Sequence, residues 1–386
     1  MKVLFISKEL RLTSGSGVGA RMHRDVLENI VGKDNLFVVD MAPEGERIQR
    51  NNYIAFGKYS SKIERIKRNL QGNIYLFSNR IIKEICEIIQ KEKINFVFVD
   101  DSTFGKMVKA IKKKAPSVPV VSFYHDVKAE LYSQWSKQGR IIDKIEYAIG
   151  LRNEKLNAKC ADKNIVLNAT EAEFLYKHYK KKADYYLPVC VPQDKIENAS
   201  NPYKDIQKRH ILFVGTSYYP NIQGVKWFYL EVYPGISSQF DFTIVGKGLN
   251  CLQQYFERDS SVTVKGKVDS LTSYYRYADV VIAPLTNGGG MKIKTAEAFS
   301  FGKFFVGSPE SLRGYWEELP DDLQNNLVYN CETKEEYVTA FENIFTKDRT
   351  TCNEALIKIW EEKYSFSAAK RIMGKIIRET LHEETV

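Results

Sequence analysis

The stretch that most restricts what this chain can fold into is residues 278–308, ADVVIAPLTNGGGMKIKTAEAFSFGKFFVGS. It reads as a buried strand at 280–284, a turn of three glycines (Gly288, Gly289, Gly290), a helix carrying Glu297, and a second strand at 304–307. A glycine turn just before a helix lets backbone N–H groups approach an anion, and the helix dipole adds roughly half a positive charge there. Lys292 and Lys294 fall in the same turn, where cations oppose that dipole. So much positive character in one place suits a strongly anionic ligand, and a diphosphate satisfies it. Glu297, about one turn further on, is placed to accept the hydroxyls of a ribose, as acids do in other nucleotide sites.

The same alternation of strand and helix runs along the rest of the chain. Apolar strands are predicted at 2–7, 36–41, 94–99, 118–123, 163–167 and 184–188. Between them come a glycine-rich loop and helix at 15–30 and helical stretches at 63–91, 104–114, 127–159 and 171–179. Tyr75, Phe77, Ile81, Ile82, Ile85, Ile88 and Ile89 supply apolar positions at helical spacing in the second of these. Such βα units predict parallel sheets covered on both faces. Residues 192–208, rich in Pro, Asn, Asp and Lys, read as a linker. A second βα series follows from His210 to about 348, and 354–377 reads as helical.

At 386 residues the chain exceeds what one core normally supports, so two domains are expected. They are placed at 1–195 and 209–365, with a terminal helix at 366–386. No apolar run approaches the ~18 residues of a membrane span, and the opening MKVLFISKEL is too briefly apolar for a secretory leader. A cytoplasmic protein is expected. The six cysteines form no C-x-x-C pair and read as reduced and structural.

Charge is divided unequally. Residues 1–200 hold 35 Lys and Arg against 24 Asp and Glu, a net +11 within a total of +9, so the remainder is slightly acidic. The clusters Lys58 to Arg68, Lys112 to Lys114 and Lys177 to Lys182 suit an anionic surface such as phospholipid headgroups or a lipid-linked diphosphate, though each also fits a solvated helix face. Nothing resembles a nucleic-acid module, and no nucleic-acid partner is expected. Gly15-Ser16-Gly17-Val18-Gly19-Ala20 matches G-x-G-x-x-A, with Asp40 about twenty residues on, which is the dinucleotide fingerprint on paper. Seven residues separate it from the preceding strand, however, and a long loop reaching into a cleft between domains fits better.

Five ordered pieces carry a family resemblance. The run Gly288 to Ala298, GGGMKIKTAEA, is followed by Gly302-Lys303-Phe304-Phe305-Val306. Upstream lie ILFVGTSYYPN (Ile211 to Asn221), DFTIVGKG (Asp241 to Gly248), Gly266-Lys267-Val268 and Tyr277-Ala278-Asp279-Val280-Val281. Together they resemble the donor domain of GT-B glycosyltransferases, in particular the triple-glycine bacterial members of the retaining family four. The resemblance is firm over about residues 210–310. It implies two Rossmann-like parallel-sheet domains facing an interdomain cleft, with the C-terminal helix crossing back onto the first. It also implies a donor site made by Gly215, Ser217, Asn221, Gly246, Val268, Gly289, Gly290, Met291, Lys294 and Glu297. Glu297 would hold the ribose and Lys294 would neutralise the leaving diphosphate, with no metal and no cofactor required. His125, just after a strand in Phe123-Tyr124-His125-Asp126, matches a histidine that such enzymes place near the donor hexose, with Asp126 as its orienting or acceptor-side neighbour. Gly15, Gly17 and Gly19 would lie on the acceptor side. Glu154 matches by helix context only and has no assigned role.

Two departures bear on the sugar used. Many family members carry a glutamate eight residues before the ribose-binding one, where this chain has Gly289. An arginine that often follows the first donor strand is replaced by Thr216-Ser217-Tyr218. The function implied is transfer of a hexose or related sugar from a nucleoside diphosphate donor to a lipid-linked or growing surface glycan, with retention, by a cytoplasmic protein that touches the inner face of the cell membrane. The rival readings are a sugar-nucleotide epimerase or hydrolase on the same fold, and a non-catalytic sugar-nucleotide binder.

Overall fold

The computed structural model describes residues 1–12, 14–42, 46–57, 61–73, 77–135, 141–192, 200–203, 207–349 and 352–382. Lys58, Tyr59 and Ser60 of the first basic cluster, Tyr75, most of the expected linker and the last four residues lie outside the described residues. The chain divides into two units, Met1–Pro188 with Ala369–Val386, and Val189–Ala368.

The first unit is built on β1 (Val3–Ile6), β2 (Leu36–Ala42), β3 (Ile48–Arg50), β4 (Tyr53–Gly57), β5 (Phe96–Val99), β6 (Val120–Tyr124), β7 (Lys163–Val166) and β8 (Tyr185–Tyr186). Their spatial order is β3-β4-β2-β1-β5-β6-β7-β8. All neighbours pair in parallel except β3, which forms a short antiparallel hairpin with β4. The central strands VLFI, FVFV and VVSFY are buried throughout, because helices on both faces leave neither side to water.

The second unit uses β9 (Arg209–Val214), β10 (Phe240–Val245), β11 (Val262–Lys265), β12 (Val280–Ala283), β13 (Phe304–Gly307) and β14 (Val328–Asn330). Its order, β11-β10-β9-β12-β13-β14, is wholly parallel. In both sheets the chain winds outward from its first strand and then returns to lay a later strand on the other side, β5 beside β1 and β12 beside β9. Loops diverge at such a reversal, and the crevice at the carboxyl ends of the two strands is where doubly wound sheets bind ligands.

Two expected elements are divided differently. The single helix at 63–91 is two, Lys62–Leu70 and Asn79–Lys91. Gly72 at φ +71° breaks the chain direction, and Ser78 caps the second helix by accepting from the Ile81 amide. The glycine-rich loop at 15–19 is the first turn of a helix, Gly15–Val31, capped by Ser14. Gly17 is required there, since a Cβ would stand 2.2 Å from the Leu12 carbonyl oxygen. The helical stretch at 354–377 is broken at Ser365, and Phe366–His382 is a separate helix. From Ala369 onward that helix belongs to the first unit, burying Ala369, Met373, Ile376 and Ile377, and Tyr185 Oη donates to Glu379 at 2.8 Å.

Candidate active site

The reversal in the second unit collects most of the expected donor residues. Gly246, after β10, has φ +146°, and a Cβ there would lie 1.7 Å from the Gly215 carbonyl oxygen after β9. Only glycine allows these loops to touch. At Gly248, φ +81°, a Cβ would lie 2.4 Å from Ser217 Oγ, and the Ser217 amide donates to Lys247 O at 3.0 Å. The Gly246 amide reaches Gly266 O at 3.2 Å, bringing in the loop after β11 that carries half-buried Val268. Asn221, in the helix Tyr219–Trp227, fixes the first loop by donating to Thr216 O at 3.0 Å.

Facing this, the loop after β12 leads into the helix Ile293–Ser300. Gly288 and Gly290 take φ +146° and +58°. The two lysines part company here. Lys292, at the N-cap, turns its ammonium back onto Gly289 O (3.1 Å), Gly290 O (2.9 Å) and Glu310 (2.7 Å), so its charge is met within the protein. Lys294 Nζ instead donates to the neutral Asn221 Oδ1 at 3.0 Å and stands 4.0 Å above the Phe213 ring. Among the described residues it has no ion-pair partner. Burial, and then the charge of Lys292, push its pKa down to about 7. Likewise, no acceptor among the described residues meets the amides of Gly289, Gly290 or Met291. Glu297, one turn along the helix, accepts from Tyr275 Oη at 2.6 Å. Thr295 Oγ1 to Ser311 O and Tyr315 Oη to Lys292 O, each 2.9 Å, hold the helix start from behind.

The corresponding reversal in the first unit is made of side chains. Asp100, directly after β5, is fully buried and accepts from Ser7 Oγ at 3.0 Å. His23 Nδ1 lies 2.7 Å from its Oδ1, and His125 Nε2 3.2 Å from its Oδ2. The His125 contact is an ion-pair approach rather than an aligned hydrogen bond. Phe123 packs edge-on against both imidazoles. Burial alone would raise the Asp100 carboxyl, but the charge of His125, then the hydrogen bond and charge of His23, bring it down to about 2. Burial opposes the charged form of His125 too, and Asp100 overrides it and raises the imidazole.

Residues 208–347 match the family model of glycosyl transferases group 1. The chain has the GT-B fold and carries a glycosyl transferases group 1 domain in its second unit. Solved structures resemble it along its whole length at low identity. Anabaena HepE in complex with UDP-glucose shares 13% identity over 98% of this chain and 100% of that one, with a TM-score of 0.62. A glycosyltransferase from Rickettsia africae gives 13%, 98% of each chain and 0.68. A UDP-forming α,α-trehalose-phosphate synthase from Burkholderia vietnamiensis gives 10%, 100% and 98%, and 0.69. No curated protein sequence matches the chain.

Within this domain the structure brings Gly215, Ser217, Asn221, Gly246 and Lys294 together around one reversal, with Gly289, Gly290, Met291 and Glu297 on the elements that supply Lys294. Asp126 does not orient His125: it is paired with Lys128 at 2.9 Å, and the carboxylate at the imidazole is Asp100. Of the expected acceptor-side glycines, Gly15 and Gly17 are helix residues, and Gly19 lies against the Cε1–Nδ1 edge of His125. Glu154 is buried and accepts from Ser102 Oγ, Tyr179 Oη and the Lys128 and Ala129 amides at 2.6 to 3.0 Å. Those bonds hold the start of the helix Lys128–Trp135, which is a structural role. From the sequence His23 is not singled out, and Asp100 is taken only as one of an adjacent acidic pair at a strand end, not as the partner of His125. Their positions, on the helix after β1 and at the end of β5, were the available signal.

Proposed function

We propose that this chain is a glycosyltransferase that moves a hexose from a uridine diphosphate donor to a hydroxyl of a lipid-linked or growing surface glycan, with retention and without a metal ion. The reading rests on Lys294, a lysine with a lowered pKa and no ion-pair partner among the described residues, beside three loop amides that no described acceptor meets, at the start of an eight-residue helix. Those groups suit a diphosphate. They would stabilise the charge that builds on it as the glycosidic bond breaks, a contribution that can reach several kcal/mol where water is scarce. Glu297, oriented by Tyr275, takes the ribose hydroxyls. Gly215, Ser217, Asn221, Gly246 and Val268 shape the nucleotide pocket. The choice of uridine follows from the neighbours that bind UDP-glucose or release UDP.

In the retaining step the bond from the sugar to the diphosphate breaks, the acceptor oxygen bonds to the same carbon on the same face, and the departing diphosphate oxygen takes the acceptor proton. His125 hydrogen-bonds a sugar or acceptor hydroxyl, held in place by Asp100. The acceptor is expected at an anionic membrane face reached through the basic first unit; no helix among the described residues is long and apolar enough to cross a membrane.

A thermal-shift panel of nucleoside diphosphate sugars tests the donor assignment. At a hundredfold excess over its dissociation constant, the right donor should add about 2.7 kcal/mol of stability, and Lys294→Ala should abolish the gain. Stabilisation by none of the panel, or an unchanged response in the variant, would overturn the reading.

A further inference from the structure

The helix Lys62–Leu70 is packed the wrong way round for a soluble surface. An amphipathic helix normally turns its apolar stripe to the core and its charges to water. Here Ile63, Ile66 and Leu70, spaced i, i+3 and i+7 along one face, are 67%, 50% and 83% exposed. The opposite face is polar and turned inward. Arg65 pairs with buried Glu146 at 2.5 Å, Asn69 donates to the same carboxylate at 3.1 Å, and Arg68 is buried against Glu64. Ion pairs thus fix the helix with its apolar stripe outward. Asn153 Nδ2 donates to Gly72 O at 2.9 Å, so the segment lies along the helix Ile141–Cys160, which itself carries exposed Ile145.

Charge on this face is one-sided. Across residues 61–73 and 143–155, Lys62, Lys67, Lys144, Arg152 and Lys155 are exposed, while Glu64 and Asp143 are half-buried and Glu146 and Glu154 buried. An apolar stripe rimmed by cations is the pattern of a helix lying in a bilayer interface. A second copy of the chain fits poorly, because a two-fold contact sets each patch against itself and would bring the lysine rims together.

We propose that this face docks on an anionic lipid bilayer, with Ile63, Ile66 and Leu70 entering the headgroup region and Lys62, Lys67 and Lys144 contacting its phosphates. The inference deepens the proposed function by naming where the protein meets the membrane that carries its acceptor. It does not depend on which donor is used.

Co-sedimentation of the full-length protein with vesicles tests it. Vesicles of phosphatidylcholine containing about one third phosphatidylglycerol should bind the protein in a salt-sensitive way, and phosphatidylcholine alone much less. The combined variant Ile63→Ser, Ile66→Ser, Leu70→Ser should bind roughly tenfold more weakly or worse, while keeping the wild-type response to UDP-glucose as its folding control. Ile66→Trp should bind at least as well and shift its added emission to the blue when anionic vesicles are present. Wild-type protein that ignores anionic vesicles, a triple variant that binds as well as wild type, or no blue shift would overturn the proposal. So would a concentration-dependent dimer that the triple variant abolishes while vesicle binding is unchanged. If UDP-glucose stabilises neither protein but vesicle binding behaves as expected, the donor assignment fails and the docking surface stands.

Discussion

The two units reverse strand order at the same place in their sheets and build opposite things there. In the second, the crevice is mostly backbone. Gly215, Gly246 and Gly248 let three loops close on one another, and Lys294, which has no ion-pair partner among the described residues, is held by an amide and a ring. In the first, the crevice is filled by a carboxylate already shared between two imidazoles and a hydroxyl. One architecture therefore supports an anion receptor where charge is left unmet, and a rigid proton-bearing cluster where it is met internally. The material at the strand ends, rather than the winding, decides the chemistry.

Substitutions should separate the two kinds of crevice. Gly246→Ala is expected to do most damage, since its Cβ would overlap the Gly215 carbonyl at φ +146°. A loss above about 3 kcal/mol, from overlap and strain together, should appear as a lower urea midpoint. A midpoint near wild type would mean that the loops do not meet as described. Next comes Lys294→Met. Removing the cation should lower kcat by about 10²–10³. It should also raise the melting temperature near neutral pH, because burial of that ammonium disfavours the folded state. Sugar transfer surviving at wild-type rate would break the contrast between the units.

Asp100→Asn probes the first unit through pH. The carboxyl sits near 2 when folded against an ordinary 3.8. Its stabilisation is present above the ordinary value and lost as pH falls toward 2, on the order of 2 kcal/mol. His125, raised from 6.5, adds a part that is full below 6.5 and lost as pH rises through its elevated value. Urea midpoints between pH 2 and 8 should therefore vary less in the variant, and an identical profile would show that the cluster is not coupled. Donor affinity has its own signature. Lys294, near 7 when free, must be protonated to meet a diphosphate, so affinity should fall as pH rises above 7, and titration calorimetry should show proton uptake there that Lys294→Met lacks. The mildest change is Gly19→Ala. A Cβ there meets His125 at an ordinary 3.5 Å inside the helix Gly15–Val31, and replacing a helical glycine should stabilise by up to about 1 kcal/mol.

The loops of the second unit were legible because their features are local. Gly288 to Glu297 lie within one turn-and-helix, and the glycines declare the close approaches that the fold then makes. The first unit's cluster was not, because Ser7, His23, Asp100 and His125 are joined only by the pairing of β1 with β5 and β5 with β6. Asp126 was the neighbour in sequence, and Asp100 is the neighbour in space. Periodicity also finds an apolar stripe without saying which way it faces. For Ile63, Ile66 and Leu70 the direction is set by Glu146, some eighty residues away on another helix. The helix break at Gly72 was missed for a related reason, as apolar positions continue on either side of it.

Because the segment from Ala369 onward belongs to the first unit, the order of synthesis and the order of completion differ. A ribosome has exported every residue of the second unit before it supplies the last helix of the first. The first unit must wait, with Tyr185 and the apolar ground under Met373 and Ile376 uncovered, until residues 369–382 have been made. A truncation after Ser365 would therefore leave its damage in the part of the protein made first.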